Sequence, residues 1–204
     1  MMQNDWAYLE KYALENQKLL KQLNDGNRIV FIGDSITEFW KQNDSIFFNQ
    51  NNYINRGISS QTSVHVLERF DNDVISLKPK SVIILVGIND IAENFGPISL
   101  EEIMVNITLM VEKSLKNNIE VLLCSILPAN SFYWNPKIQP IEKIIQLNQM
   151  IEAYCILKQL DFVDYYTEMV DENLSLDKKY TDDGVHPNLE GYLKMKAILE
   201  THIK

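Results

Sequence analysis

Five short apolar runs alternate along the chain with longer segments in which apolar residues recur every three or four positions. The first run, Ile29 to Ile32, is β-branched and aromatic, a composition typical of a strand that is buried on both faces of a sheet. A glycine or proline follows several of the runs and sets their ends. The predicted strands cover residues 29–32, 53–56, 81–86, 120–125 and 161–164.

The segments between the strands have the periodicity of amphipathic helices. Ser99 and Glu102 form a capping-box pattern before one helix, and Pro140 stands at the first position of another. Residues 42–52 are expected to form a largely polar loop. The predicted helices cover residues 6–25, 36–41, 62–77, 100–117, 140–158 and 189–203.

Because strands and helices alternate, we expect parallel strands joined by right-handed crossovers. The predicted fold class is therefore α/β, with the architecture of a three-layer α/β/α sandwich. No repeat, linker or low-complexity segment divides the chain, so residues 1–204 are expected to form a single domain. Residues 1–26 should contribute a helix that packs across the outside of the core.

A second predicted loop, residues 129–139, carries the aromatic residues Phe132, Tyr133 and Trp134. Aromatic side chains in loops commonly pack against their own surroundings, and we expect local packing here. The alternative is a platform on which a sugar or acyl group would stack.

Composition narrows the classes of partner. The chain of 204 residues has a net charge of -9, and 46% of its residues are hydrophobic. Proteins that bind nucleic acid need a basic surface, which this chain lacks, so no nucleic-acid partner is expected. The hydrophobic content is ordinary for a globular protein and excludes a disordered or fibrous class.

The cysteines and the absence of targeting signals give little information about the compartment of the protein. Cys124 and Cys155 fall in apolar segments and are expected to be buried free thiols, with a disulfide between them left open. Residues 1–6 lack a signal-peptide pattern, and no run of about 18 apolar residues is present. The default expectation is a cytoplasmic protein, or a periplasmic or secreted one if a leader was removed. No feature indicates an oligomeric state.

Reactive residues follow the predicted strands. Gly33-Asp34-Ser35 comes after the first strand, Gly57 ends the second, and Gly87-Ile88-Asn89-Asp90 follows the third. Because parallel strands end at one edge of the sheet, these residues should meet there. Taken alone, Ser35 has an ordinary alternative explanation as a helix cap.

These residues and a downstream motif supply what acyl transfer requires. Ser35 is the candidate nucleophile and His186 the base that removes its proton. Asp183, three residues before His186, is the candidate carboxylate that orients the imidazole, with Asp182 as a less well-spaced alternative. His65 and His202 lie in contexts that need no catalytic explanation.

The tetrahedral intermediate of acyl transfer also needs hydrogen-bond donors for its oxyanion. The candidates are the backbone N–H of Gly57, the side-chain amide of Asn89 and the backbone N–H of Ser35. Asp34 and Asp90 are expected to hold the turns around these groups. No metal or cofactor is required by this chemistry.

Gly33-Asp34-Ser35, Gly57, Gly87-x-Asn89-Asp90 and Asp183-x-x-His186 together resemble the four sequence blocks of the GDSL esterase/lipase family, also called SGNH hydrolases. The resemblance spans about residues 28–192. It implies a flavodoxin-like sheet in the order 2-1-3-4-5 and a triad of Ser35, Asp183 and His186. It also implies an oxyanion hole from Ser35, Gly57 and Asn89. Thr37 differs from the second glycine of the Gly-x-Ser-x-Gly motif, so an α/β-hydrolase is not indicated.

The resulting functional expectation is a serine esterase that cleaves a small acyl group, such as acetyl, from an oxygen ester. A carbohydrate-linked ester is included, since no lid or membrane-binding helix favours a long-chain lipid. The alternatives on the same fold are a thioesterase, a lysophospholipase or an acyltransferase. An alternative of a different class is a non-catalytic flavodoxin-like domain that binds FMN at the same edge of the sheet.

Overall fold

A computed structural model describes residues 5–203, and its centre is a fully parallel sheet in the order β2-β1-β3-β4-β5. The three strands β1, β2 and β3 are buried along their whole length, as the apolar composition of β1 predicted for that strand. The α/β class and the strand order 2-1-3-4-5 are both confirmed. The strands are β1 Ile29–Gly33, β2 Ile54–Gly57, β3 Ser81–Leu85, β4 Glu120–Cys124 and β5 Asp161–Val163.

Helices cover both faces of the sheet. On one face the fourth, sixth and seventh helices pack side by side, and on the other the second helix contacts the third and the last, which in turn contacts the eighth. The capping box of Ser99 and Glu102 is formed at the start of the sixth helix. The helices are α1 Ala13–Leu20, α2 Ser35–Asn43, α3 Ser45–Gln50, α4 Ser63–Asp73, α5 Ile88–Ile91, α6 Leu100–Lys116, α7 Ile141–Lys158, α8 Tyr165–Met169 and α9 Leu189–Leu199.

The register of the three central strands aligns their carboxyl ends. Gly33 at the end of β1 lies opposite Gly57 of β2 and Leu85 of β3. The loops that follow these strands therefore leave the sheet at the same level. This alignment is what brings the segments after residues 33, 57 and 85 together at one edge.

The expected polar loop at residues 42–52 is wrong, because it contains α3. Asp44 caps this helix by accepting a hydrogen bond from the Phe47 N–H at 3.1 Å. The rings of Phe47 and Phe48 are buried against Phe31 of β1. Burial of these two rings stabilises a helix that the surrounding asparagines and glutamines obscure in the sequence.

The N-terminal helix is shorter than predicted. Within the predicted range 6–25, only Ala13–Leu20 is helical. Tyr8 has a positive φ of 57°, so a helix cannot continue through this residue. The Asp5 carboxylate accepts hydrogen bonds from the Leu9 N–H and the Glu10 N–H, at 2.7 and 3.1 Å. Residues 5–12 thus form turns.

The N-terminal segment docks through a polar side chain and not through an apolar stripe. Leu23 is 95% exposed and Leu20 53% exposed, whereas Asn16 is buried. The Asn16 amide donates to Asp73 Oδ1 at 2.7 Å, and its oxygen accepts from Arg56 Nε at 2.9 Å. A hydrogen-bonded anchor of this kind leaves no mark in the hydrophobic periodicity.

Other features are close to expectation. The last helix ends at Leu199, and two short helices, α5 and α8, lie where none was predicted. Cys124 and Cys155 are buried free thiols, as predicted. Within residues 5–203 no helix is long and apolar enough to cross a membrane. The single-domain organisation and the cytoplasmic location stay predictions.

Candidate active site

Ser35 is the first residue of α2, placed there by a tight turn out of β1. A Cβ at Gly33 would lie 2.2 Å from the Leu85 carbonyl oxygen, so only glycine fits beside β3. The Asp34 carboxylate caps α2 by accepting from the Ile36 N–H at 3.0 Å. From α9, the Tyr192 hydroxyl donates to the Ile36 carbonyl at 2.9 Å. The nucleophile turn is therefore fixed both locally and by the last helix.

The structure brings together Ser35, His186 and Asp183 in a continuous hydrogen-bonded chain. Ser35 Oγ lies 2.9 Å from His186 Nε2, and His186 Nδ1 lies 2.7 Å from Asp183 Oδ2. An aspartate at Nδ1 requires the proton on that nitrogen, which leaves Nε2 to accept the serine proton. Asp183, and not Asp182, is the residue that contacts the imidazole.

The loop before α9 holds this pair through its own backbone. Asp183 Oδ1 accepts from the His186 N–H at 2.7 Å and from the Val185 N–H at 2.9 Å. The Thr181 hydroxyl donates to the His186 carbonyl at 2.7 Å, and its oxygen accepts from the Gly184 N–H at 3.0 Å. Partial burial by itself raises the pKa of Asp183, but the hydrogen bonds from the backbone and imidazole of His186 and from the Val185 N–H outweigh it and lower the pKa below its usual value.

The Asn89 amide lies at the same edge with its orientation fixed. Its Nδ2 donates to the Gln61 carbonyl at 3.1 Å, and its Oδ1 accepts from Asn94 Nδ2 at 2.7 Å. An amide nitrogen carries two hydrogens, so one remains for a ligand. Asn94 was not singled out in the sequence, since a single loop asparagine carries no signal of such a contact.

Gly57 lies at the end of β2 as expected, but its N–H already has a hydrogen-bond partner. Its N–H donates to Asn55 Oδ1 at 2.9 Å, and Gly57 is not among the residues that line the cavity at Ser35. A Cβ at Gly57 would lie 2.1 Å from the Glu38 nitrogen, so glycine is needed here for close packing of β2 against α2. The Gly57 N–H is thus already bound by Asn55, and the role of Gly57 as an oxyanion donor stays a prediction.

Ser60, three residues further along, lies in the cavity instead. Its φ is +66°, a left-handed conformation that residues other than glycine rarely adopt. Within residues 5–203 its N–H makes no hydrogen bond that would occupy it. Ser60 could not be singled out from the sequence, because the residue type does not reveal a left-handed backbone at a serine.

The cavity beside Ser35 has a volume of about 640 Å³. Serines, asparagines and the Asp183–His186 pair form its polar lining, and among the described residues this lining includes no lysine, arginine or aliphatic side chain. A larger cavity of about 700 Å³ between α1 and β2 contains none of the predicted site residues. The aromatic residues that line the cavity at Ser35 are Phe39, Phe95, Tyr133 and Trp134.

The aromatic loop divides into a buried and an exposed part. Phe132 is fully buried, in line with local packing, whereas Tyr133 is 67% exposed at the cavity. The Trp134 ring lies 6.4 Å from the His186 ring, and its Nε1 donates to Asn94 Oδ1 at 2.8 Å. Trp134 also packs against Phe132 and Tyr133 within the loop, so local packing and exposure at the cavity occur together here.

Two buried carboxyl groups, those of Asp34 and Asp90, lie next to site residues in the sequence but do not line the cavity. Burial raises the pKa of Asp34 to about 7 and that of Asp90 to about 6. Asp90 accepts from the Ser63 N–H at 2.8 Å and from the Ser63 hydroxyl at 2.6 Å, which ties α5 to the start of α4. Both residues hold turns, as expected.

The other two histidines lie outside the cavity. His65 Nδ1 is 2.7 Å from the Thr62 hydroxyl, and burial lowers the pKa of His65. His202 lies near the end of the chain, 3.9 Å from Asp161. Neither contacts Ser35.

Similarity to known proteins agrees with this geometry. The family model described as GDSL-like Lipase/Acylhydrolase family matches residues 31–194. A candidate acylhydrolase from Bacteroides fragilis NCTC 9343 has 44% sequence identity and a TM-score of 0.95, with 98% of both chains covered. A GDSL-like lipase from Bacteroides thetaiotaomicron VPI-5482 has 44% identity and a TM-score of 0.94, with 97% of both chains covered.

One curated protein is similar over a shorter stretch. The lipoprotein YqeF of Bacillus subtilis strain 168 is 33% identical over 78 residues, which are 37% of this chain and 32% of YqeF. The match thus spans about a third of the length of that relative.

Proposed function

This chain belongs to the GDSL-like lipase/acylhydrolase family, and we propose that it is a serine esterase that transfers a small acyl group from an oxygen ester to water through an acyl-enzyme. The observation that carries the proposal is the chain of hydrogen bonds from Ser35 through His186 to Asp183. A serine with a positioned imidazole and carboxylate is the arrangement that activates a hydroxyl as nucleophile.

In the first step His186 Nε2 takes the Ser35 proton as Oγ attacks the acyl carbon. Asp183 holds the imidazole and stabilises its protonated form. The resulting tetrahedral intermediate collapses, His186 gives the proton to the leaving alcohol, and the acyl group stays on Ser35. Water then repeats the same sequence of steps on the acyl-enzyme and releases the acid.

The oxyanion of the intermediate receives hydrogen bonds from the Ser35 N–H and the Asn89 amide. In place of Gly57, the third donor is the N–H of Ser60, which lines the cavity. Donors fixed before the reaction stabilise the developing charge without reorganisation.

The lining of the cavity favours a neutral ester with a short acyl group. Without a lysine or arginine among its described lining residues, the cavity offers no counter-charge to a phosphate. Esters of phosphate-bearing alcohols, thioesters of phosphate-bearing thiols, lysophospholipids and FMN are disfavoured on this ground. No aliphatic side chain extends the apolar lining beyond its four aromatic residues, which favours a short acyl group over a long chain.

A carbohydrate-linked alcohol fits the rim of the cavity. The exposed aromatic residues Tyr133, Trp134 and Phe95 line the cavity together with Ser59, Ser60, Asn89 and Asn94. Sugars bind through this combination of apolar ring faces and hydrogen-bonding hydroxyl groups. Acetylated sugars are therefore the preferred substrate class.

A labelling experiment tests the nucleophile. A fluorophosphonate should label the wild-type protein and the control variant Ser76→Ala, whose serine lies outside the cavity, but not Ser35→Ala. Turnover of 4-nitrophenyl acetate by Ser35→Ala should fall by about 10⁴-fold or more. Equal labelling of Ser35→Ala would overturn the assignment.

A substrate series tests the class of ester. Activity on 4-nitrophenyl esters should fall from acetyl to decanoyl, and acetylated sugars should be cleaved faster than lysophosphatidylcholine. A maximum at long chains, or a preference for the phospholipid, would contradict the proposed substrate.

A further inference from the structure

The loop that carries Ser60 is held from outside the cavity by Glu38. This glutamate lies on α2, one turn after the nucleophile. Its Oε2 accepts from the Ser59 N–H at 2.7 Å and from the Ser59 hydroxyl at 2.6 Å. Both donors of the residue that directly precedes Ser60 are thus bound to one carboxylate oxygen.

The other oxygen of Glu38 is occupied by the N-terminal segment. Lys11 forms an ion pair with Glu38 Oε1. The side chain of Glu38 is only 19% exposed, so the ion pair is partly shielded from water. Burial alone would raise the pKa of Glu38, but the donors from Lys11 and Ser59 lower it. Glu38 therefore remains an anion at neutral pH, the form that accepts both hydrogen bonds of Ser59.

The same N-terminal segment supports the loop at both of its ends. The Tyr12 hydroxyl donates to the Gly57 carbonyl at the start of the loop. At its far end Gln61 Nε2 donates to the Ala7 carbonyl at 2.8 Å. Residues 7–12 and Glu38 together enclose the loop on the side away from the cavity.

The contacts from Glu38 and residues 7–12, together called the clamp, hold a loop in which Ser60 has an unfavourable backbone conformation. An L-residue at φ +66° relaxes to negative φ unless its neighbours prevent it. Rotation about φ of Ser60 would turn the plane of the preceding peptide and redirect the Ser60 N–H. Fixing Ser59 on both of its donors opposes this rotation.

We propose that Glu38 is a positioning residue that acts through Ser59 to keep Ser60 in the left-handed conformation, with the Ser60 N–H directed at the oxyanion. The inference rests on the proposed function and deepens it, because it assigns the support of one oxyanion donor to a residue that does not touch the substrate.

Glu38→Ala should lower kcat by about tenfold to a hundredfold, less than the loss of about 10² to 10³-fold for outright removal of one oxyanion donor, because the Ser60 N–H is misdirected and not removed. KM for 4-nitrophenyl acetate should change less than twofold, since ground-state binding does not use the oxyanion donors. Glu38→Gln, which keeps one acceptor oxygen for Ser59, should lose less. The matched control is Glu68→Gln on the exposed surface of α4, which should leave kcat unchanged.

A second background separates positioning from general stability. Glycine adopts positive φ without strain, so the clamp matters less when residue 60 is glycine. The fold-loss in kcat caused by Glu38→Ala should be several-fold smaller in the Ser60→Gly background than in the wild type. Affinity for a boronic acid, which mimics the tetrahedral intermediate, should follow kcat in all these variants.

Three results would overturn the proposal: an unchanged kcat in Glu38→Ala, a loss that appears mainly in KM, or an equal loss in the Ser60→Gly background. Failure of the proposed function looks different, because wild-type protein would then show no turnover that depends on Ser35. Turnover by the wild type and by Ser35→Ala is therefore measured first, and the Glu38 variants are compared only afterwards.

Discussion

The loop at residues 181–187 and the oxyanion rim, which consists of Ser59, Ser60, Asn89 and Asn94, are held by different kinds of contact. Within the loop, Asp183 is bonded to neighbours two or three residues away. Contacts to the rim come from Glu38, Gln61 and Trp134, separated from their partners by 21, 28 and 40 residues. The acid–base pair is therefore built locally, whereas the rim is assembled from distant segments.

This difference determines how each region should respond to substitution. A change in the loop can alter its chemistry and leave the fold intact, because few distant contacts depend on it. A change at the rim should propagate, since each donor there is oriented by a residue from another part of the chain.

The largest expected effect tests the local region. Asp183→Asn keeps an acceptor oxygen for the backbone N–H groups of His186 and Val185 but cannot hold the proton on His186 Nδ1. We expect kcat to fall by about 10³ to 10⁴-fold, with little change in the thermal midpoint. Steady-state kinetics and thermal melts of the same preparations measure both.

Asp183→Ala is the matched comparison, since it also removes the loop hydrogen bonds and should lower the thermal midpoint. A loss below tenfold in Asp183→Asn would show that Asp183 does not set the tautomer of His186.

The next effect tests the assembled region. Asn89→Ala should lower kcat by about 10² to 10³-fold through loss of one oxyanion donor. Asn94→Ala should cost about tenfold, because it frees the Asn89 amide that Asn94 orients. In a double-mutant cycle the cost of Asn94→Ala should nearly disappear once Asn89 is alanine.

Additive losses in this cycle would contradict the orienting role. They would mean that Asn94 acts on the substrate directly, for example through its contact with Trp134 at the rim.

The smallest effect concerns stability. The pKa of Asp34 is about 7 in the native state because the carboxyl is buried, against a usual value of 3.8. Between about pH 4 and pH 7 the native state thus binds a proton that the unfolded state lacks, and stability falls as pH rises. Relative to Asp34→Asn, which keeps the cap without a charge, the wild-type free energy of unfolding should fall by about 2 to 4 kcal/mol over this range.

Urea unfolding from pH 4.5 to 8 measures this difference. Asp90 shifts in the same direction but is present in both proteins, so the comparison isolates Asp34. Parallel curves for the two proteins would mean that Asp34 is ionised throughout, and that the turn before Ser35 tolerates a buried anion.

Local information in the sequence determined the sheet and part of the site. The five strands, the capping box at Ser99 and the residues Ser35, Asn89, Asp183 and His186 were all predicted from patterns a few residues long. Periodicity identifies buried strands, and strand ends in a parallel sheet converge. Residue type and position therefore sufficed to place these groups at one edge.

Only the tertiary structure decided which further groups join them. Ser60 lines the cavity with a positive φ, and Glu38, 22 residues earlier, binds the neighbouring Ser59. Asn94 and Trp134 likewise contribute through a mutual contact 40 residues apart. Such contacts depend on how distant segments pack, and no short pattern in the chain records them.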